Sequence, residues 1–177
     1  MDNLKKIQTV MKVFKILTKI GFVACIVGGS LCLLMLLLLF LADVVGIMDR
    51  EIAMSMMSPK DAPVAVAYCV LFVGICQTFF GALIAHKWNS YYKMEEEDGT
   101  PFVEKSAKFL FSTAIYELIL GFVAFVVSSV IVAVFEATHA DVNFSHDMKF
   151  SFDAVTVLFT LFLSIVFRYG AEVRENK

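Results

Sequence analysis

Charge is scarce in this chain. Of its 177 residues only 18% are Asp, Glu, Lys or Arg, against 59% of hydrophobic types. A soluble domain carries roughly 25% charged and roughly 45–50% apolar residues, so the shortage points to lipid rather than water around most of the surface. Proline is rare, at three, and glycine stands at nine. That excludes a fibrous chain or a Pro/Gly-rich disordered one. Basic residues form no single stripe and the net charge is −2, which argues against direct nucleic-acid binding. Also missing are a nucleophile elbow, a nucleotide loop, an H-E-x-x-H pair and an intramembrane catalytic dyad, so the expectation is no enzyme and no cofactor. No internal repeat supports a doubled transporter half.

What is present is four long apolar runs. A bilayer core needs about 20 consecutive apolar residues in a helix. The runs place spans at about 20–42, 64–85, 109–135 and 150–169. The fourth has its apolar centre at Ala154 to Val166, extended by flanking aromatics. Stretches such as Leu33 to Phe40 do not alternate apolar with polar, as barrel strands do. The first run and its charged lead are longer than those of a signal peptide, so it is expected to stay in place. Residues 1–177 therefore read as a single four-span domain: an all-α integral membrane four-helix bundle, up-and-down because its connections are short.

Lys and Arg set the orientation. Twelve of them lie at the N-terminal segment, the middle connection and the C-terminal end, against three (Arg50, Lys60, Lys149) in the other two loops. Both termini and the middle loop are thus expected in the cytoplasm, at a plasma membrane. Residues 2–19 form an amphipathic basic helix. At about 100° per residue, Lys5, Lys12, Lys15 and Lys19 share a quadrant, roughly opposite Ile7, Val10 and Phe14. Such a helix either lies on an anionic leaflet or runs straight into the first span. The middle loop, about His86 to Lys108, starts with Trp88, Tyr91 and Tyr92, which suit the headgroup belt. Glu95-Glu96-Glu97-Asp98 follows as an acidic turn. Thr100 is expected to cap the next helix, with Pro101 in its first turn.

Two short stretches carry a family likeness. Asp98-Gly99-Thr100-Pro101-Phe102 before the third span, and Phe167-Arg168-Tyr169-Gly170-Ala171-Glu172 closing the fourth, resemble the bacterial four-helix membrane family called domain of unknown function 2975. The likeness extends to the plan of four spans. Val103, Phe109, Leu110 and Phe111 are more apolar than the family's usual continuation, and the family's longer acidic tail is not seen before Lys177. The resemblance implies a bacterial plasma-membrane protein without assigned chemistry. It also implies a regulatory partnership, since such proteins are often encoded beside a small helix-turn-helix regulator.

Among single residues Glu117 is the most informative. A charge at the bilayer centre costs about 2.5–3.5 kcal/mol on insertion scales, so buried acids face a partner or water. If 118–135 crosses the core, Glu117 sits at the inner boundary. Arg168, near the inner end of the fourth span, is its expected ion-pair partner, because Arg suits forked carboxylate contacts. Gln77, Thr78 and Ser30 are expected to join Glu117 in a polar layer, as packing glue before transport site. Gly28-Gly29-Ser30, Gly74, Gly81 and Gly121 mark close helix approaches. Cys25, Cys32, Cys69 and Cys76 lie at lipid depth without C-x-x-C spacing and behave as small apolar residues. His139, Asp141, His146, Asp147 and the loop methionines match no standard metal site.

The function expected is that of a membrane interaction or regulatory protein. It would offer Lys5, Lys12, Lys15, Asp98 and Phe102 to a cytosolic partner. The alternative is a small transporter, accessory or immunity subunit, working as a homo-oligomer with a polar path through Ser30, Gln77 and Glu117.

Overall fold

The computed structural model describes residues 2–46, 63–139 and 154–175. Every regular element among them is a helix. Helix α1 spans Asp2–Phe40 and closes in a single π-helical turn, Leu41–Val45, after which Gly46 takes the left-handed conformation at φ +67°. Helix α2 spans Val64–Asp98, α3 Glu104–Thr138 and α4 Ala154–Glu175. Residues 47–62 and 140–153 lie outside the described residues, as does the start of the expected fourth span at 150. The same holds for Asp141, His146, Asp147 and the methionines at 48, 54, 56 and 57.

All four helices are long and apolar enough to cross a membrane. Helix α2 has 35 residues. With a rise of about 1.5 Å per residue, a helix of that length measures about 52 Å, more than the hydrocarbon core of about 30 Å. Each long helix therefore has a polar extension beyond its apolar segment. The amphipathic N-terminal segment is one such extension: α1 runs unbroken from it into the first span. Large apolar side chains such as Ile26, Leu33, Phe79, Phe122 and Phe162 are exposed on the helix surfaces. In water that surface would be a liability; in lipid it is the required exterior.

The chain folds as two compact units. The first comprises Met1–Ala24, Gly81–Phe122 and Phe152–Lys177. Its core joins Tyr91 and Met94 of α2 and Leu110 of α3, with Met11, Leu163 and Phe167 packed against them. Consecutive helices here run antiparallel, as the contact numbering shows. Along α1 and α2, Phe14 meets Tyr92 and Phe22 meets His86. Along α2 and α3, Trp88 meets Glu117 and Tyr91 meets Phe109. Rising numbers on one helix meet falling numbers on the next. Within this unit the up-and-down order expected of short connections is present.

The second unit comprises Cys25–Phe80 and Val123–Ser151. Leu39 of α1 packs with Ala67 and Leu71, and Cys69 and Val73 of α2 pack with Val132 of α3. Small residues create the closeness. A Cβ on Gly29 would lie 2.9 Å from Thr78 Oγ1, and one on Gly74 would lie 3.1 Å from Cys32 Sγ. Gln77 Nε2 donates to Ser128 Oγ at 2.9 Å. Ser30 Oγ returns to its own helix, donating to the Ile26 carbonyl at 2.8 Å. All four cysteines are free thiols.

Candidate functional site

The polar extensions of the first unit gather most of its chemistry. Glu117 is buried, at 7% exposure. Trp88 Nε1 donates to its Oε1, and Thr160 Oγ1 lies 3.4 Å from its Oε2. Three helices thus converge on one carboxylate. Lys87 sits 4.5 Å above the Phe109 ring and 5.7 Å from that of Tyr116. Glu117 therefore lies at the level of Trp88 on α2 and Thr160 on α4.

Arg168 has a different partner from the one expected. Its Nε lies 3.3 Å from Glu172 Oε1, one turn along the same helix, and its side chain is 72% exposed. The physical reason is spacing. Thr160 is the α4 residue at the level of Glu117. Arg168 follows eight positions later, which on a helix is about 12 Å further along the axis. The expected polar layer divides in the same way: Gln77 bonds Ser128 in the second unit, while Glu117 bonds Trp88 in the first.

The acidic end of α2 is engaged rather than loose. Lys15 of α1 forms an ion pair with Glu96, which holds that carboxyl below its usual range. Gln8 Nε2 donates to the Gly99 carbonyl at 2.9 Å. Lys105 Nζ is 3.9 Å from Asp98, a weak contact between partly exposed groups. Lys5 belongs to α1, but its side chain lies outside the described residues. Lys12 is exposed on α1.

Glu95 is the residue that sequence reading missed. It opens a run of four acidic residues, yet it is only 4% exposed. Tyr91 donates to its Oε1, while Oε2 is buried without a hydrogen-bond partner. Glu95 lies well past Ala85, where the apolar segment ends. Burial pushes its carboxyl up to about 7; the Tyr91 hydrogen bond opposes the rise and Asp98 adds to it. The same burial, with Glu95 beside it, raises the Tyr91 phenol. The signal in the sequence was helical spacing: Tyr91 and Glu95 are four apart and share a face.

The turn between α2 and α3 also departs from expectation. Gly99 closes α2 in the left-handed conformation at φ +70°, with its N–H bonded to the Glu95 carbonyl at 2.9 Å. Thr100 Oγ1 then accepts from the Phe102 N–H at 3.3 Å, so it stabilises a local turn instead of capping α3. The helix begins three residues later than Thr100 and Pro101 implied, with the Ala107 N–H on the Val103 carbonyl at 3.1 Å. The intervening residues carry Phe102 onto α4. Its ring meets Phe167 edge-on at 5.5 Å, and a Cβ on Gly170 would lie 2.4 Å from Phe102 Cδ1. The two stretches that carry the family likeness are therefore in contact.

Two hollows flank this turn. One, of about 160 Å³, is lined by Gln8, Met11, Lys12, Lys15, Tyr92 and Glu95, among others. A more open groove of about 790 Å³ is bordered by Gln8, Asp98, Thr100, Phe102, Tyr169 and Arg174. Both ends of the described chain reach that groove. Among the described residues no group of His, Cys, Asp and Glu is arranged to hold a metal ion.

No family model matches the chain, and no curated protein or solved structure matches it either.

Proposed function

We propose that this chain is a membrane interaction protein whose turn-centred groove docks a soluble cytosolic partner. The observation that supports this reading is the groove itself: Gln8, the Asp98 to Phe102 turn, and Tyr169 with Arg174 come from three separate stretches to one open surface. Their separate origin makes it a composite surface. Phe102, Tyr169 and Arg174 are of the residue types enriched at protein interfaces, with Asp98 beside them. By the Lys and Arg asymmetry this end faces the cytoplasm. The resemblance to the domain of unknown function 2975 family supports a bacterial plasma membrane and makes a small helix-turn-helix regulator the candidate partner.

The test is photo-crosslinking in native membranes from a photoreactive residue at position 169, where Tyr169 is 69% exposed. A discrete adduct with a soluble protein, lost when Arg174→Glu is added, is expected. Adducts with lipid alone would overturn the docking role. A transport role has one feature in its favour, the buried Glu117 carboxylate. Proteoliposome flux that vanishes in Glu117→Gln would favour it over docking.

A further inference from the structure

The cleft between α3 and α4 in the first unit presents three tiers of chemistry. It measures about 240 Å³ and is lined by Lys108 and Phe111 of α3 and by Ser164, Ile165 and Arg168 of α4, among others. That shared lining and the Glu117–Thr160 contact make the two helices antiparallel. Lys108 lies nine positions before Glu117, and Arg168 eight after Thr160. Both cations therefore stand about 12–14 Å from the Glu117 level, on the same side of it. Phe111 and Ile165 are three positions nearer to that level. Glu104 and Glu172 are four positions beyond the cations and bond them, with Lys108 Nζ 2.7 Å from Glu104 and Arg168 Nε 3.3 Å from Glu172. From the apolar segment outward, the order on both helices is apolar side chain, cation, carboxylate.

The tiers share one face. At about 100° per residue, Glu104, Phe111, Leu118 and Phe122 fall within about 40° of one another on α3, with Lys108 about 60° from Phe111. On α4, Leu158, Ile165 and Glu172 fall within about 40°, with Arg168 about 60° from Ile165. Phe111, Leu118, Phe122, Leu158 and Ile165 are all exposed. In a bilayer acyl chains cover such a row, and the first charged group beyond an acyl chain is the phosphodiester, which here meets Lys108 and Arg168. An ammonium carries three N–H donors and a guanidinium five, so each cation can hold its carboxylate and still give a charge-assisted bond to a phosphate. Beyond the phosphate stand two carboxylates, which repel a second anion and attract a cation.

We propose that this cleft holds a zwitterionic phospholipid, its acyl chains along the exposed row, its phosphate between Lys108 and Arg168, and its terminal ammonium against Glu104 and Glu172. Selectivity comes from charge order, so a primary and a quaternary ammonium both satisfy the site, whereas a glycerol headgroup brings no cation to the outer tier. The site goes beyond the docking reading and does not depend on it, so a failed crosslink at position 169 leaves it standing.

The full-length protein, delipidated in detergent, is offered phosphatidylcholine and phosphatidylglycerol of identical acyl chains, and occupancy is read by native mass spectrometry. A preference for the choline lipid of about fivefold is expected, the upper scale of an exposed ion pair. The double variant Glu104→Gln/Glu172→Gln should turn the preference towards phosphatidylglycerol, and Lys108→Gln/Arg168→Gln should lower the occupancy of both lipids. All four side chains are largely exposed, so the variants should elute as folded monodisperse species. Phosphatidylglycerol favoured by the unaltered protein, or a choline preference that survives loss of both carboxylates, overturns the proposal. So does lipid occupancy unchanged in the Lys108/Arg168 variant. Glycerophosphocholine, which has no acyl chains, should be retained far less than the lipid; equal retention overturns the lipid as the occupant. A lipid-free species of two chains would make this face a contact between copies and sink the site.

Discussion

Single residues set the tolerances of the first unit. Gly170 has no room for a methyl group, because the near edge of the Phe102 ring occupies that space. Gly170→Ala should gain about 1 kcal/mol of helix propensity and lose about 1–3 kcal/mol to overpacking. A net fall in thermal stability in detergent is expected. Phe102→Ala in the same chain should remove the clash, so the double variant should be more stable than the sum of the single effects implies. At Glu117 the two obvious substitutions should differ. Gln keeps an oxygen for the Trp88 N–H, whereas Ala leaves that part-buried donor without its acceptor, at a cost of about 1 kcal/mol. Glu117→Ala should therefore melt well below Glu117→Gln; equal melting would remove the carboxylate from the structural role.

Glu95 ties stability to pH. Its carboxyl titrates near 7 in the folded chain, against 4.5 for an ordinary glutamate. The folded state thus binds the proton more tightly than the unfolded state does. The stability from this group is fully present below about pH 4.5, falls as pH rises towards 7, and is level above it. Tyr91 and Asp98 face the same carboxyl, and Lys12, Lys15 and Glu96 line the adjoining hollow. A melting series in detergent from pH 5 to pH 8 should show the decline, and Glu95→Gln should flatten it.

At the scale of elements, hydropathy carried most of the reading. Runs of Leu, Val and Phe placed all four helices, because a backbone in lipid must satisfy its own hydrogen bonds and a long apolar run can do so only as a helix. The glycines at 28, 29 and 74 were legible as contact points, since small residues are what let two backbones approach. Ends were harder. Thr100-Pro101 is a good N-terminal signal on local grounds, yet those residues form a turn that takes Phe102 to α4. A contact with a residue far along the chain overrides the local preference, and nothing within the turn encodes it. The same limit explains Glu117 and Arg168. Sequence gives their approximate depth, while partner choice depends on which turn of α4 faces α3. Gly99 is the element-scale test, because its φ is +70°. Gly99→Ala places a side chain in that left-handed conformation and should cost about 1 kcal/mol, read as a lowered melting temperature.

At the scale of the whole molecule, four apolar helices make a multi-pass membrane protein, and the first unit brings Gln8 and Arg174 to one groove. An even number of crossings would leave the two ends on one side. The side they face is set by where Lys and Arg fall. A cysteine introduced at position 143 should react with an impermeant mass tag from outside intact cells, whereas protection would invert the orientation.

The close seating of Phe102 on Gly170 has an evolutionary consequence. A peg and the hole that receives it are inherited as a pair. In any related chain, a side chain larger than hydrogen at the second position should accompany a smaller residue at the first. The two alignment columns should therefore covary, although 68 positions separate them in the chain.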